Sequence, residues 1–191
     1  HWFPSPTRPG QHVTAQTVLA LPLRPATRTK ILLAAYAGLR IHEIAKLKGQ
    51  DIDTAGGTLT ITGKGGRTDL LPAHPIILTQ AANYPRKGHW FPSPTRPGQH
   101  VTAQTVGTVI ARALHRAGID ATAHQLRHFF ATSLLEAGVD SRIVQTLMRH
   151  ASLATTGRYL GVTLTQQRTA LDSLTIVASA TLDTNPAPGP K

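Results

Sequence analysis

Residues 122–159 read TAHQLRHFFATSLLEAGVDSRIVQTLMRHASLATTGRY. The apolar residues recur at intervals of three and four, the period of amphipathic helices. Thr122 can cap a helix from about Ala123 to Ala137, with Leu126, Phe129, Phe130, Leu134 and Leu135 as its core face. Gly138 suits its C-terminal end. Asp140 or Ser141 can cap a second helix that turns Ile143, Val144, Leu147 and Met148 inward. Ser152 can start a third, which carries Tyr159. On this helical frame stand His124, Arg127, His150 and Tyr159, in that order.

Upstream, residues 26–37 (ATRTKILLAAYA) form an apolar block of helix length, ended by Gly38. LRIHEIAKLKGQDID follows, with Leu39, Ile44 and Leu47 at helical spacing, and predicts a short helix ending near Gly49. Thr58 to Thr62 alternate threonine with Leu59 and Ile61, the period of a half-buried strand. Gly63, Lys64, Gly65 and Gly66 make a turn, and Arg67 to Leu71 return as a second strand. Residues 81–101 are rich in Pro, Gly and Arg and read as a loop, crossed by a short strand near Trp90 and Phe91. Residues 103–117 predict a helix capped by Thr102, with Val106, Val109, Ile110, Ala113 and Leu114 in one stripe. Residues 163–174 are weakly helical. The Pro-rich end from 175 to 191 is expected to be disordered. The fold class is α+β, mainly α-helical with a small antiparallel sheet.

Residues 1–18, HWFPSPTRPGQHVTAQTV, repeat residues 89–106 without a change. Two copies around dissimilar sequence are not a solenoid. The second copy runs on into a helix, whereas Pro22 and Pro25 cut the first short. The second is read as native, and the first as a cloning scar, a recent duplication or an artefact without function. The domain expected to act is therefore 19–174. The chain begins at His1 and its one methionine is Met148, so a fragment or processed product is expected. The start has no apolar h-region of a signal peptide.

The chain has 191 residues, room for one domain with a sizeable core. Twenty Lys and Arg stand against nine Asp and Glu, a net charge of +11. Such an excess favours a polyanionic partner, because cations displace condensed counterions from phosphates. There is no cysteine, so disulfides and thiolate metal sites are excluded; this suits the cytoplasm. No run is long and apolar enough to span a bilayer.

His124 and Arg127, at i and i+3, share a helix face. A forked guanidinium near a helix N-terminus matches two oxygens of one phosphate. Arg40 lies beyond Gly38, and Glu43 could orient it or form a surface ion pair with it. Lys64 sits in a glycine-rich turn that could bring an ammonium to a phosphate; GKGG is not a P-loop. Taken singly, each has a bland reading: a solvated helix start, a cap, an exposed turn lysine, a core tyrosine. His124, His128 and His150 could also be zinc ligands, but HQLRH lacks the glutamate of metalloproteases, and Arg127 would repel a cation. The nine carboxylates suggest no matched cluster for two-metal phosphoryl transfer. A metal-free mechanism must neutralise phosphate with Arg, Lys and His, which this chain supplies.

The ordered set AGLRIHEIAKLKGQDID, TITGKGGRTDLLP, WFPS with the helix ending AGI, AHQLRHFFATSLLEAGVD and VQTLMRHASLATTGRYLGV resembles the tyrosine recombinase, or phage integrase, family over about residues 20–170. The resemblance implies site-specific DNA recombination through a 3′-phosphotyrosyl intermediate, with no cofactor, metal or ATP. It implies that Arg40 and Arg127 clamp the scissile phosphate and that Tyr159 is the nucleophile. Lys64 would protonate the 5′-hydroxyl leaving group, His124 would assist proton transfer, His150 would hydrogen-bond the phosphate, and Glu43 would support them. Implied partners are double-stranded attachment sites, a homotetramer on DNA that exchanges C-terminal segments, and accessory DNA-bending proteins, all at the nucleoid. Arg149 departs from the pattern, standing where the family usually has glycine. If that position needs a positive φ, arginine costs ~1 kcal/mol or more. The family's N-terminal DNA-clamping domain is not matched before residue 19, so this stretch alone is expected to bind DNA weakly. Alternatives are a type IB topoisomerase-like or telomere-resolving enzyme, and a DNA-binding module without catalysis.

Overall fold

A proline at the first helical position, followed by an unbroken apolar run, gives α1 (Pro25–Tyr36). Every residue from Thr29 to Tyr36 is buried, so α1 is the central rod. A helix apolar on all sides needs neighbours on all sides. The computed structural model describes residues 21–63, 66, 68–149 and 162–174. Within them α1 packs against the short helix that follows it and against α3 (Pro75–Ala81), α4 (Ala103–Arg116) and α5 (Ala123–Glu136).

Between α1 and α3 come α2 (Ile41–Lys46), a 3-10 turn (Gly49–Asp51) and an antiparallel sheet. The strands β1 (Ile52–Asp53), β2 (Thr58–Thr62) and β3 (Thr68–Pro72) lie in chain order. Leu59 pairs with Leu71, and Ile61 with Asp69. The alternation in TLTIT buries Leu59 and Ile61 on one face. After α5 come α6 (Ser141–Met148) and α7 (Leu164–Asp172). Asp140 caps α6, its Oδ1 accepting from Arg142 N–H at 2.7 Å.

The α+β architecture is the expected one. Several details differ. α2 ends at Lys46, not near Gly49, because Leu47 takes an extended backbone (ψ 133°) and pairs with the second copy of the repeat. Its carbonyl accepts from Trp90 N–H at 3.0 Å, and Lys48 bridges His89. α3 and β1 lie outside the expected elements. α3 is one short run behind a proline, and β1 has two residues, too few to show a period. On α5, Leu126, Phe130 and Leu134 are buried as expected, but Leu135 is 48% exposed and Phe129 only partly buried. The inward stripe is narrower than the apolar residues allow.

The segment 163–174 folds as α7 against β3 and α6 of its own chain. Ala170, Leu171 and Leu174 are buried. Arg168 Nη2 donates to the Gly56 carbonyl at 2.8 Å. No helix among the described residues is long and apolar enough to cross a membrane.

Candidate strand-transfer site

Gly38 ends α1 in the left-handed region, at φ 58°. A Cβ there would lie 2.6 Å from Phe130 Cδ1, so both the backbone and the close packing of α5 call for glycine. The turn projects the Gly38 carbonyl into the space between α2, α5 and α6. Arg127, on the first turns of α5, donates to this carbonyl through Nη1 and to the Met148 carbonyl through Nη2. It is 5% exposed, so it is not a solvated helix start. Its fork is turned inward onto backbone oxygens. Burial, with repulsion from Arg40 and Arg149, pushes its pKa down to about 10, so it remains cationic at neutral pH.

Arg40 caps α2. Its backbone N–H donates to Glu43 Oε2 at 2.7 Å and its Nη1 to Glu43 Oε1 at 3.1 Å. Nη2 reaches the Arg149 carbonyl at 3.3 Å. With its side chain 34% exposed, Arg40 stands at the surface of the cluster. Glu43 is 4% exposed, so the surface-pair reading of Arg40 and Glu43 does not hold: the carboxylate is an internal strut. Burial by itself pushes that carboxyl up. The opposing charges of Arg149 and Arg40 and the Arg40 N–H bond outweigh it, leaving Glu43 below the usual range.

Arg149 ends α6 at φ 50°, ψ 50°, the positive φ expected of a position where glycine would be at ease. Its Nη2 lies 2.8 Å from Glu43 Oε2 and 3.3 Å from the Gly38 carbonyl, and Nη1 donates to the Leu147 carbonyl at 3.1 Å. The end of α6 therefore holds three guanidiniums, one on each successive carbonyl: Arg149 on Leu147, Arg127 on Met148, Arg40 on Arg149. Those carbonyls are the unpaired, negative end of a helix.

His124 is exposed on the same end of α5, its Nε2 2.8 Å from His128 Nε2 and the rings perpendicular. Burial, His124 and Arg127 together lower the His128 pKa. Among the described residues no three His, Asp or Glu side chains converge as metal ligands. Of the expected residues, Arg40, Glu43 and Arg127 come together and His124 lies on the helix that carries Arg127. Lys64, His150 and Tyr159 lie outside the described residues. The sequence reading missed the tie from Arg149 to Glu43. No local pattern could mark it, since 106 residues separate the two. An open cleft of about 760 Å³ lies apart from this cluster, lined by Arg24, Arg112, His115 and Arg116 with Asp120.

The mainly helical frame and its three-stranded antiparallel sheet define an α+β domain of the class expected. The model of the phage integrase family matches residues 14–165, and the chain belongs to that family. It is 38% identical over 152 residues to the tyrosine recombinase XerA of Pyrococcus furiosus, covering 76% of this chain and 53% of that protein. Against tyrosine recombinase XerC of Staphylococcus aureus it is 35% identical over 148 residues, covering 72% and 50%. The chain spans about half the length of these curated relatives. Among solved structures, the integrase of mycobacterium phage Brujita superposes with a TM-score of 0.78 at 42% identity, over 92% of this chain and 64% of that one. XerH bound to its difH substrate before cleavage gives 0.58 at 26% identity, over 74% and 45%.

Proposed function

We propose that residues 19–174 are the catalytic domain of a site-specific recombinase that cuts and rejoins DNA through a 3′-phosphotyrosyl bond. The observation that carries this is the convergence of Arg40 and Arg127, distant in sequence, on successive carbonyls at the end of α6. That end leads directly into His150 and, nine residues on, Tyr159. Tyr159 Oη attacks phosphorus, and the bond to the 5′ oxygen breaks. Lys64 gives its proton to that oxygen. His124, supported by His128, assists removal of the tyrosine proton, and His150 hydrogen-bonds the phosphate. Arg40 and Arg127 stabilise the charge of the pentacoordinate state, with Arg127 turning part of its fork from Gly38 and Met148 to the phosphate. The 5′-hydroxyl of a second strand reverses the step, so the bond energy is kept and no ATP or metal enters.

The substrate is duplex DNA. The charge of +11 and the basic cleft by Arg112 and Arg116 support it. The DNA-bound relatives support it as well. The active assembly is a tetramer on two duplexes, in the cytoplasm at the nucleoid, aided by DNA-bending proteins. α7 leaves its own β3 to dock on a neighbour. If DNA-driven assembly is unchanged after residues 163–191 are deleted, that exchange is wrong.

A covalent trap tests the chemistry. Nicked suicide duplexes carrying candidate sites are incubated with the chain, without metal, and resolved in SDS. The expected adduct band is lost in Tyr159→Phe and Arg127→Ala. An adduct that survives Tyr159→Phe rejects the nucleophile. DNA binding with steep salt dependence but no adduct at any site rejects catalysis.

A further inference from the structure

We propose that Arg149 is a positioning residue of the strand-transfer centre: its guanidinium ties Glu43 to the end of α6 and thereby fixes Arg40 relative to Arg127. The inference rests on the recombinase reading above, and goes beyond it to a residue where this chain departs from the family pattern.

The backbone gives the first argument. Arg149 is the one described residue other than glycine with a positive φ, at 50°. An L-residue in that region is strained by its Cβ, which glycine would avoid. An arginine held there needs a compensating side-chain interaction.

The side chain supplies it. Only 6% of it is exposed, and its terminal nitrogens have three protein acceptors: Glu43 Oε2 at 2.8 Å, the Gly38 carbonyl at 3.3 Å and the Leu147 carbonyl at 3.1 Å. These acceptors belong to three separate pieces of chain: α2, the turn after α1, and α6. Glycine at 149 would leave Arg40 bonded to the residue-149 carbonyl and Arg127 to that of Met148. It would remove the side-chain tie between Glu43 and α6.

Glu43 shows why that tie reaches Arg40. Its Oε1 accepts from Arg40 Nη1, and its Oε2 accepts from both Arg40 N–H and Arg149 Nη2. A carboxylate anchored by Arg149 presents a fixed edge to the Arg40 fork. Without the anchor it can rotate with Arg40 and carry that guanidinium away from Arg127. Three guanidiniums share the cluster with Glu43, the Asp69 charge also acts on Arg149, and the surplus positive charge suits an incoming phosphate. A shift of about 1 Å in a phosphate clamp is enough to cost on the order of a hundredfold in rate.

The test uses the full chain with Arg149→Gly and Arg149→Lys. NMR titration of the Glu43 carboxyl reads the tie without catalysis. Adduct formation under single turnover reads the consequence, measured across concentrations of a randomised pool of nicked suicide duplexes. In Arg149→Gly the Glu43 titration should move up, and the maximal adduct rate should fall by about tenfold or more. The half-saturating DNA concentration should stay within about twofold, since most affinity comes from other phosphate contacts. Arg149→Lys, which keeps the charge but not the fork, should recover part of the rate; it also carries the test if the glycine variant does not fold. An unmoved Glu43 titration overturns the tie, and an unchanged maximal rate overturns the positioning role. A parent chain that forms no adduct with the pool defeats the recombinase reading itself, while the Glu43 titration still decides the tie.

Discussion

His74 Nε2 lies 3.2 Å from the Leu174 carbonyl, joining the start of α3 to the end of α7 across the molecule. His74 Nδ1 accepts from Ile76 N–H at 3.2 Å, so the ring proton sits on Nε2 and is donated to Leu174. The ring is 4% exposed and packs on Tyr36, with centroids 5.1 Å apart. Burial holds its pKa below 6.5, although the Leu174 carbonyl and the Asp172 charge favour the cation. Below pH 6.5 the unfolded or undocked chain takes up the proton first, so the stability of this contact is lost as pH falls. A second proton would also displace the Ile76 N–H. Hydrogen exchange in α7, corrected for intrinsic rates, should therefore accelerate below pH 6.5. His74→Gln, which cannot take up a proton, should flatten that response.

Glu43→Gln should destabilise the fold by about 3 kcal/mol, because it strips the counter-charge from Arg40 and the buried Arg149. Urea unfolding at pH 7 measures it. The carboxyl titrates below 4.5 in the fold, so the charge contributes fully above that value and its contribution is lost as pH falls through the folded pKa. The difference between parent and variant should therefore shrink in acid.

Gly38→Ala should cost about 2–4 kcal/mol, from a left-handed backbone plus overpacking against Phe130. Phe130 is 1% exposed at the centre of the core and has no room to retreat. Thermal melting reads the loss. A second effect should accompany it, since the displaced carbonyl accepts from both Arg127 and Arg149.

Burial pushes the Lys30 ammonium down to about 8, with its Nζ 4.0 Å from the Phe91 ring centroid and 3.2 Å from the Ala26 carbonyl. Above pH 8 the folded amine is neutral while the unfolded one keeps its proton to 10.5. The unfolded chain then binds more protons, so stability should rise with pH from 8 towards 10. Above 10 the buried phenols of Tyr36 and Tyr84, both raised, should reverse the trend. Lys30→Met should abolish the rise, as read by melting temperature against pH.

What the sequence made legible was the part governed by period and caps. TLTIT declared its strand by alternation, and Thr102, Thr122 and Asp140 marked the helix starts later found. Arg40 and Arg127 were legible as a pair by type and order. Their geometry was not. Nothing in HQLRH says that the Arg127 fork turns inward to Gly38 and Met148, since those acceptors lie far off in sequence. Leu135 was misread because apolarity alone does not tell which edge of a stripe faces out. α3 was missed because a single turn or two of helix behind a proline carries no period.

The three carbonyls at the end of α6 tie all three guanidiniums to one helix end. A helix advances by about 1.5 Å per residue, so sliding α6 by one position would break its bonds to Arg40, Arg127 and Arg149 together. Fraying of the last turn of α6 removes one acceptor from each arginine and leaves Glu43 and Gly38 as their remaining partners. In the mechanism proposed above, the readiness of the arginines for a phosphate follows the local unfolding free energy of that one helix end.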